Sequence, residues 1–261
     1  MKKPVVLRGQ NLSLQFASRH VLKQIDVAFC AGEVVALLGP NGAGKSSLLK
    51  LLSGEITSSQ SIEYFGKAAK SWRSAALSRH LGLLPQSSSL TFPFLAREVV
   101  ELGAIPLALS QAEVKAIAEK YMTITDVVHL ADSLYPALSG GEKQRLHFAR
   151  VLTQLDQSGD KKILMLDEPT SALDLAHQHN TLRVAKQFAK EQNACVIVVL
   201  HDLNLAAQYA DRMVILHRGE IVVDACPEEA LTPEIIDSVY GYKALIGRHP
   251  TLGFPLVQPA A

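Results

Sequence analysis

No run of apolar residues in this sequence is long enough to cross a membrane. The longest near its C-terminal end, Ala194 to Leu200, holds seven residues, against about 20 for a spanning helix. The basic start, Met1-Lys2-Lys3-Pro4, is followed by neither a long apolar segment nor a small-residue cleavage site. No signal peptide is therefore expected, and the chain is expected to stay in the cytoplasm. An excess of one charge is missing too. The 26 basic and 25 acidic residues leave a net charge of +1, with no basic tract, which argues against sequence-independent binding to nucleic acid. Cysteine is scarce: Cys30, Cys195 and Cys226 lie far apart and form no CxxC. That argues against a disulfide framework or a zinc site, and the thiols read as reduced or buried. There is no internal repeat and no low-complexity segment.

What is there is a core-forming chain with the alternation of an α/β domain. Of 261 residues, 48% are hydrophobic, enough for a sizeable core in one large domain or two small ones. Val5-Val6-Leu7, Leu12 to Phe16 and Ile25 to Phe29 read as strands of a β-rich N-terminal region, with Ala31-Gly32-Glu33 as a turn. Val34 to Leu38, Ile163 to Leu166 and Val196 to Leu200 are short, continuous apolar runs. That is the pattern of strands covered on both faces of a parallel sheet. A helix carrying Leu48, Leu49, Leu51 and Leu52, ended by Gly54, follows the first run, and a helix near Ala176 to Glu191 separates the other two. From about Phe94 to Leu155 the sequence is helical, with Ser110 and Glu113 as a capping box before Val114, Ile117, Ala118 and Tyr121. The expectation is an α/β domain with a largely parallel sheet and an inserted helical stretch. Met213 to Leu216 and Glu220 to Asp224 flank His217-Arg218-Gly219 as a hairpin, and Pro250, Pro255 and Pro259 punctuate the tail.

Two motifs carry phosphate chemistry. Gly39, Pro40, Asn41, Gly42, Ala43, Gly44, Lys45 and Ser46, with Ser47 after them, fit GxxxxGK[ST] between a buried strand and a helix. Glycines let backbone N–H groups turn inward around phosphate oxygens, and the following helix points its positive end at them. Lys45 would reach the β- and γ-phosphates and Ser46 would ligate Mg²⁺. A chance match in a chain this long is on the order of one per cent. The second motif is Ile163-Leu-Met-Leu-Asp167-Glu168, an apolar strand that leaves two carboxylates at its C-terminal end, where α/β sheets bind ligands. Asp167 would hold Mg²⁺ through water, and Glu168 would orient and polarise the attacking water.

Leu138-Ser139-Gly140-Gly141-Glu142 lies between those motifs. Here the chain resembles the ABC ATPase family, whose signature is LSGGQ or a close variant; Glu142 stands in place of the commoner Gln. The resemblance runs over essentially the whole chain and implies a P-loop NTPase fold. Its parts are a RecA-like parallel sheet core, an N-terminal antiparallel β subdomain and an inserted helical subdomain at about 94–155. A C-terminal tail at about 227–261 completes a single domain over 1–261. It also implies two copies sandwiching two ATP molecules, with Ser139, Gly140 and Gly141 of one copy on the ATP of the other. Phe16 matches the aromatic that stacks on adenine, although an aromatic in a strand is usually core. Gln86 matches the loop glutamine that senses Mg²⁺ and water, Ser171 to Asp174 the loop that meets the opposite subunit, and His201 the histidine on the γ-phosphate.

A short single ATPase without a membrane segment is similar to bacterial importer subunits, and within these to the iron-siderophore, haem and vitamin B12 group. Ser89 to Phe94, Arg97 to Gly103 and Arg248 to Pro255 look like the haem (hemin) importers of that group. So does Asp167 to Leu175, followed by His177 and His179, which read as solvated helix histidines rather than haem ligands. The implied partners are a second copy, two copies of a permease and a periplasmic haem-binding protein, with the chain on the cytoplasmic face of the inner membrane. Siderophore or cobalamin cargo stays open. So does an ABC ATPase acting on DNA or ribosomes, although such proteins usually carry a long coiled coil or two fused cassettes, and neither is present.

Overall fold

The computed structural model describes residues 3–17, 19–57, 60–88, 90 and 92–260. Met1, Lys2, Ser89 and Thr91, part of segments singled out above, lie outside them. The chain opens with two long strands, β1 (Val5–Phe16) and β2 (Arg19–Cys30), paired antiparallel. The sequence reads as two strands where the structure has the single β1. The break is a bulge: pairing shifts by one residue between Gly9 and Leu12, where Asn11 has a φ of 51°. After β3 (Val34–Leu38) and α1 (Lys45–Ser53), β4 (Ser61–Tyr64) and β5 (Lys67–Ala68) complete an antiparallel sheet of order β2-β1-β4-β5.

The chain then runs through α2 (Ser74–Leu77), β6 (Leu81–Leu84), α3 (Ala96–Glu101), α4 (Gln111–Ile124) and α5 (Gly140–Leu155). β7 (Ile163–Asp167), α6 (Leu175–Glu191), β8 (Cys195–Val199), α7 (Leu203–Tyr209), β9 (Arg212–His217) and β10 (Glu220–Ala225) come next. The tail adds α8 (Pro227–Ala230), α9 (Pro233–Tyr240) and a hairpin of β11 (Ala244–Arg248) and β12 (Pro255–Pro259). The second sheet has the order β10-β9-β3-β8-β7-β6, parallel throughout except for β10. Among the described residues no helix is long and apolar enough to cross a membrane.

Every residue of β3, β7 and β8 is buried, because a separate core covers each face of this sheet. Val34, Ala36 and Leu38 point into a core shared with α3 to α7, whereas Val35 and Leu37 point into one shared with α1 and the first sheet. The four leucines of α1 are each at most 1% exposed. Burying each contributes roughly 2 kcal/mol, which seats α1 and aims its N-terminus along the end of β3. Small residues let α5 come close to its neighbours: a Cβ on Gly82 would stand 2.7 Å from Val151 Cγ1, and one on Gly103 2.1 Å from the Arg150 carbonyl oxygen.

Candidate functional site

β3, β7 and β8 are neighbours running the same way, so the loops leaving their C-terminal ends collect at one edge. After β3 comes the glycine loop. Gly39 has a φ of 136°, and a Cβ there would lie 2.1 Å from the Leu216 carbonyl oxygen, so only glycine fits. Gly44, the residue before α1, has a φ of 107° and Val21 and Leu22 packed against it. Ala43 N–H closes a turn onto the Pro40 carbonyl at 3.2 Å, and Asn41 and Gly42 are exposed. Lys45 is buried, and its Nζ donates to the carbonyl oxygens of Gly39 at 2.8 Å and Pro40 at 3.1 Å. Burial lowers its pKa, while Glu168 and Asp167 pull it back up. Ser46 Oγ donates to Asp167 Oδ1 at 3.1 Å. Asp167, 4% exposed at the end of β7, has its carboxyl pKa raised by burial, with the bond from Ser46 acting against that.

Glu168 is the hub. Its Oε2 accepts from Gln86 Nε2 at 2.8 Å, and its Oε1 lies 2.6 Å from His201 Nε2. Gln86 follows β6 and His201 follows β8, so three neighbouring strands each deliver one group. The backbone of Glu168 is strained, with a φ of 49°. The left-handed region costs a non-glycine residue about 1 kcal/mol. Two side chains hold the carbonyl oxygen of Glu168: Gln144 Nε2 donates to it at 3.0 Å and Ser171 Oγ at 3.1 Å. Sequence reading passes over Gln144, since a glutamine inside a helix carries no signal of its own; its importance comes from its bond to the residue that follows β7. It also passes over Arg19, His20 and Arg218, which with Pro40 to Ala43 line a cavity of about 420 Å³.

The remaining expected site residues share no hydrogen bond with the glycine loop. Ser139 is the N-cap of α5: its Oγ accepts from Glu142 N at 3.3 Å, and Glu142 Oε2 accepts from Ser139 N at 2.7 Å. Glu142 thus closes a capping box, and these bonds hold its carboxyl below the usual range. Gly141 packs on the next loop, a Cβ there being 3.0 Å from the Ala172 carbonyl oxygen, whereas Gly140 has nothing within 4 Å. Asp174 caps α6 by accepting from His177 N at 3.0 Å. Phe16 ends β1 and is 55% exposed, so it is not a core residue. Ser47 is partly buried in the first turn of α1. The reading of His177 and His179 as solvated is corrected: both are half-buried, His177 Nδ1 lying 2.7 Å from Asp174 Oδ1 and His179 Nδ1 2.9 Å from the Tyr209 hydroxyl.

A glycine loop between a buried strand and a helix, with its lysine, its serine–aspartate pair and a glutamate at the next strand end, defines a P-loop nucleotide hydrolase. More narrowly, residues 22–171 match the family model described as ABC transporter, and the chain belongs to that family as an ATP-binding, ATP-hydrolysing subunit. It is 98% identical over 261 residues, all of both chains, to the hemin import ATP-binding protein HmuV of Vibrio vulnificus. It is 62% identical over 256 residues to the protein of the same name from Vibrio cholerae, covering 98% of this chain and 99% of that one. Among solved structures, a metal-chelate type ABC transporter in an inward-facing conformation superposes with a TM-score of 0.80 at 25% identity, covering 98% of each chain. An ATP-binding cassette solved as a dimer, in a post-hydrolysis state with ADP and phosphate, superposes with a TM-score of 0.73 at 25% identity. That match covers 84% of this chain and 98% of that one.

Proposed function

We propose that this chain hydrolyses ATP to power hemin import through a bacterial ABC transporter. It works as a homodimer on two copies of a permease at the cytoplasmic face of the inner membrane, with a periplasmic hemin-binding protein delivering cargo. The observation that carries the hydrolysis reading is Glu168, held between Gln86 and His201 beside the Ser46–Asp167 pair. The cargo reading is supported by the 98% identity, end to end, with a protein named for hemin import.

The backbone donors of residues 39–44 and the Lys45 ammonium neutralise the β- and γ-phosphates, aided by the positive end of α1. Glu168 accepts a hydrogen bond from the attacking water and aligns it with the γ-phosphate, while His201 steadies both the carboxylate and the phosphate. Ser46, Asp167 and Gln86 suit Mg²⁺: all three offer oxygen, the preferred donor of a hard cation, and the first two already meet at 3.1 Å. No three His, Cys, Asp or Glu side chains gather to hold a metal among the described residues. When bound, the ion would supply positive charge that offsets the phosphate charge.

Ser139, Gly140 and Gly141 serve the ATP of the partner copy, and Asp174 lies on the loop that meets that copy. Gly140 has open space where a side chain would be, so nothing inside this chain demands a glycine; an approaching phosphate does. Phe16 offers its exposed ring to adenine. Closure of the pair moves the helical subdomain, about 94–155, and with it the permease. Uptake of labelled hemin against labelled cobalamin tests the cargo, in cells lacking and then regaining this chain. Restored hemin uptake with unchanged cobalamin uptake is expected; the reverse result rejects hemin.

A further inference from the structure

Two buried polar side chains with no part in the hydrolysis above stand between its two halves. Tyr135 is 2% exposed and His147 4%. Tyr135 begins the short 3₁₀ turn Tyr135–Ala137 that leads to Ser139 and α5. Its hydroxyl donates to the carbonyl oxygen of Ser88 at 3.1 Å, two residues beyond Gln86. Its own N–H donates to the Phe94 carbonyl at 2.8 Å. One atom group thus joins the turn that precedes Ser139 to the loop that carries Gln86.

His147 holds that group in place. Its Nε2 lies 3.0 Å from the Tyr135 hydroxyl, and the two rings meet edge to face, 5.5 Å apart at 73°. The hydroxyl has one proton and gives it to Ser88, so Nε2 carries the hydrogen and donates to the tyrosine oxygen. Nδ1 is then a bare acceptor, and it is buried without a partner. Burial, with the nearby Arg150 charge, pushes the His147 pKa down to about 4, which keeps the ring neutral. On α5, Gly140, Lys143, Gln144 and His147 recur at helical spacing and line a cavity of about 220 Å³ whose other wall includes Pro85 to Ser88. One face of α5 therefore carries two links: Gln144 to the Glu168 carbonyl and His147 to Tyr135. The cavity between them is room into which the Gln86 loop can shift.

We propose that Tyr135, oriented by His147, is a positioning residue that pins the Gln86 loop to α5, so that Gln86 meets Glu168 in register with the Ser139 turn. This rests on the ATPase reading of Gln86 and Glu168. A displacement of about 1 Å in a catalytic group can cost up to roughly a hundredfold in rate, and the Tyr135–Ser88 bond is what resists it.

Tyr135→Phe keeps the ring and its packing and deletes the hydroxyl. In the purified full chain with Mg²⁺ and ATP, kcat is expected to fall about tenfold while KM for ATP stays within about twofold. Amide exchange is expected to quicken at residues 86–88 but not in β3, β7 or β8. His147→Gln, whose amide still donates to the hydroxyl, keeps kcat within about threefold, and His147→Leu repeats the loss seen with Tyr135→Phe. A wild-type kcat in Tyr135→Phe overturns the proposal. So does a joint rise in KM and in exchange throughout α3 to α5, which is what simple loss of packing produces. Glu168→Gln tests the underlying reading separately, since full turnover there removes Glu168 from the chemistry. A stalled Glu168→Gln beside a fully active Tyr135→Phe removes only the positioning role.

Discussion

Single residues here are held by what surrounds them more than by their own preferences. Glu168 keeps an unfavourable backbone angle of 49° because Gln144 and Ser171 both grip its carbonyl oxygen. His147 keeps a neutral ring because burial disfavours its charge, and this has a pH consequence. Its folded-state pKa, about 4, lies below the ordinary value of 6.5. Below the ordinary value the unfolded chain therefore binds a proton that the folded chain does not. The folded state keeps its full stability above about pH 6.5 and loses it as pH falls, by on the order of 3 kcal/mol near pH 4. Urea unfolding at pH 7 and pH 4.5 checks this: His147→Gln should flatten the acid-side loss, and an unchanged slope would assign it to other groups. Positions whose chemistry follows from residue type and spacing, such as Lys45, Ser46, Asp167 and Glu168, could be picked out from the sequence. Gln144 could not, because a helical glutamine becomes important only through the tertiary bond it makes, here to the Glu168 carbonyl oxygen. Phe16 misleads in the other direction: strand aromatics are usually core, yet this one stands at a hairpin end, 55% exposed.

Among elements, the legible ones are those whose pattern has a single physical cause. Val34 to Leu38 is apolar at every position because both faces of its strand are covered, and Ile163 to Leu166 and Val196 to Leu200 obey the same rule. β6 escapes notice because it is four residues long and holds Gly82, a glycine needed so that Val151 can approach. The β11–β12 hairpin escapes because Pro255 and Pro259 read as breakers. A two-stranded hairpin is all edge, and there a missing N–H can face outward. Here they sit opposite Arg248 and Ala244, at the two ends of the ladder. The hairpin is fastened to α7 by Asn204, whose Nδ2 donates to the Val257 carbonyl at 3.2 Å and whose Oδ1 accepts from Val257 N at 2.8 Å. Asn204→Ala strands both partly buried groups and should cost about 2 kcal/mol. A lower urea midpoint with an unchanged m-value is the expected result, and an unaltered midpoint would mean the hairpin stands without this fastening.

For the molecule as a whole, the arrangement predicts that catalysis is shared between copies. Lys45→Ala damages the glycine loop, and Ser139→Arg damages the signature, so each homodimer should be inactive. In a mixture, half the pairs are hybrids, and each hybrid has one site built from two intact halves. Mixing should therefore restore up to about a quarter of the wild-type rate. Continued silence of the mixture would mean that loop and signature act within one chain.

The open ground beside Gly140 has a kinetic corollary. On the shared-site reading, a solitary copy is mute. Turnover by the free protein must then climb faster than linearly with its concentration. Tethering two copies to one permease abolishes that dependence, so assembly into the transporter would itself act as the starter switch.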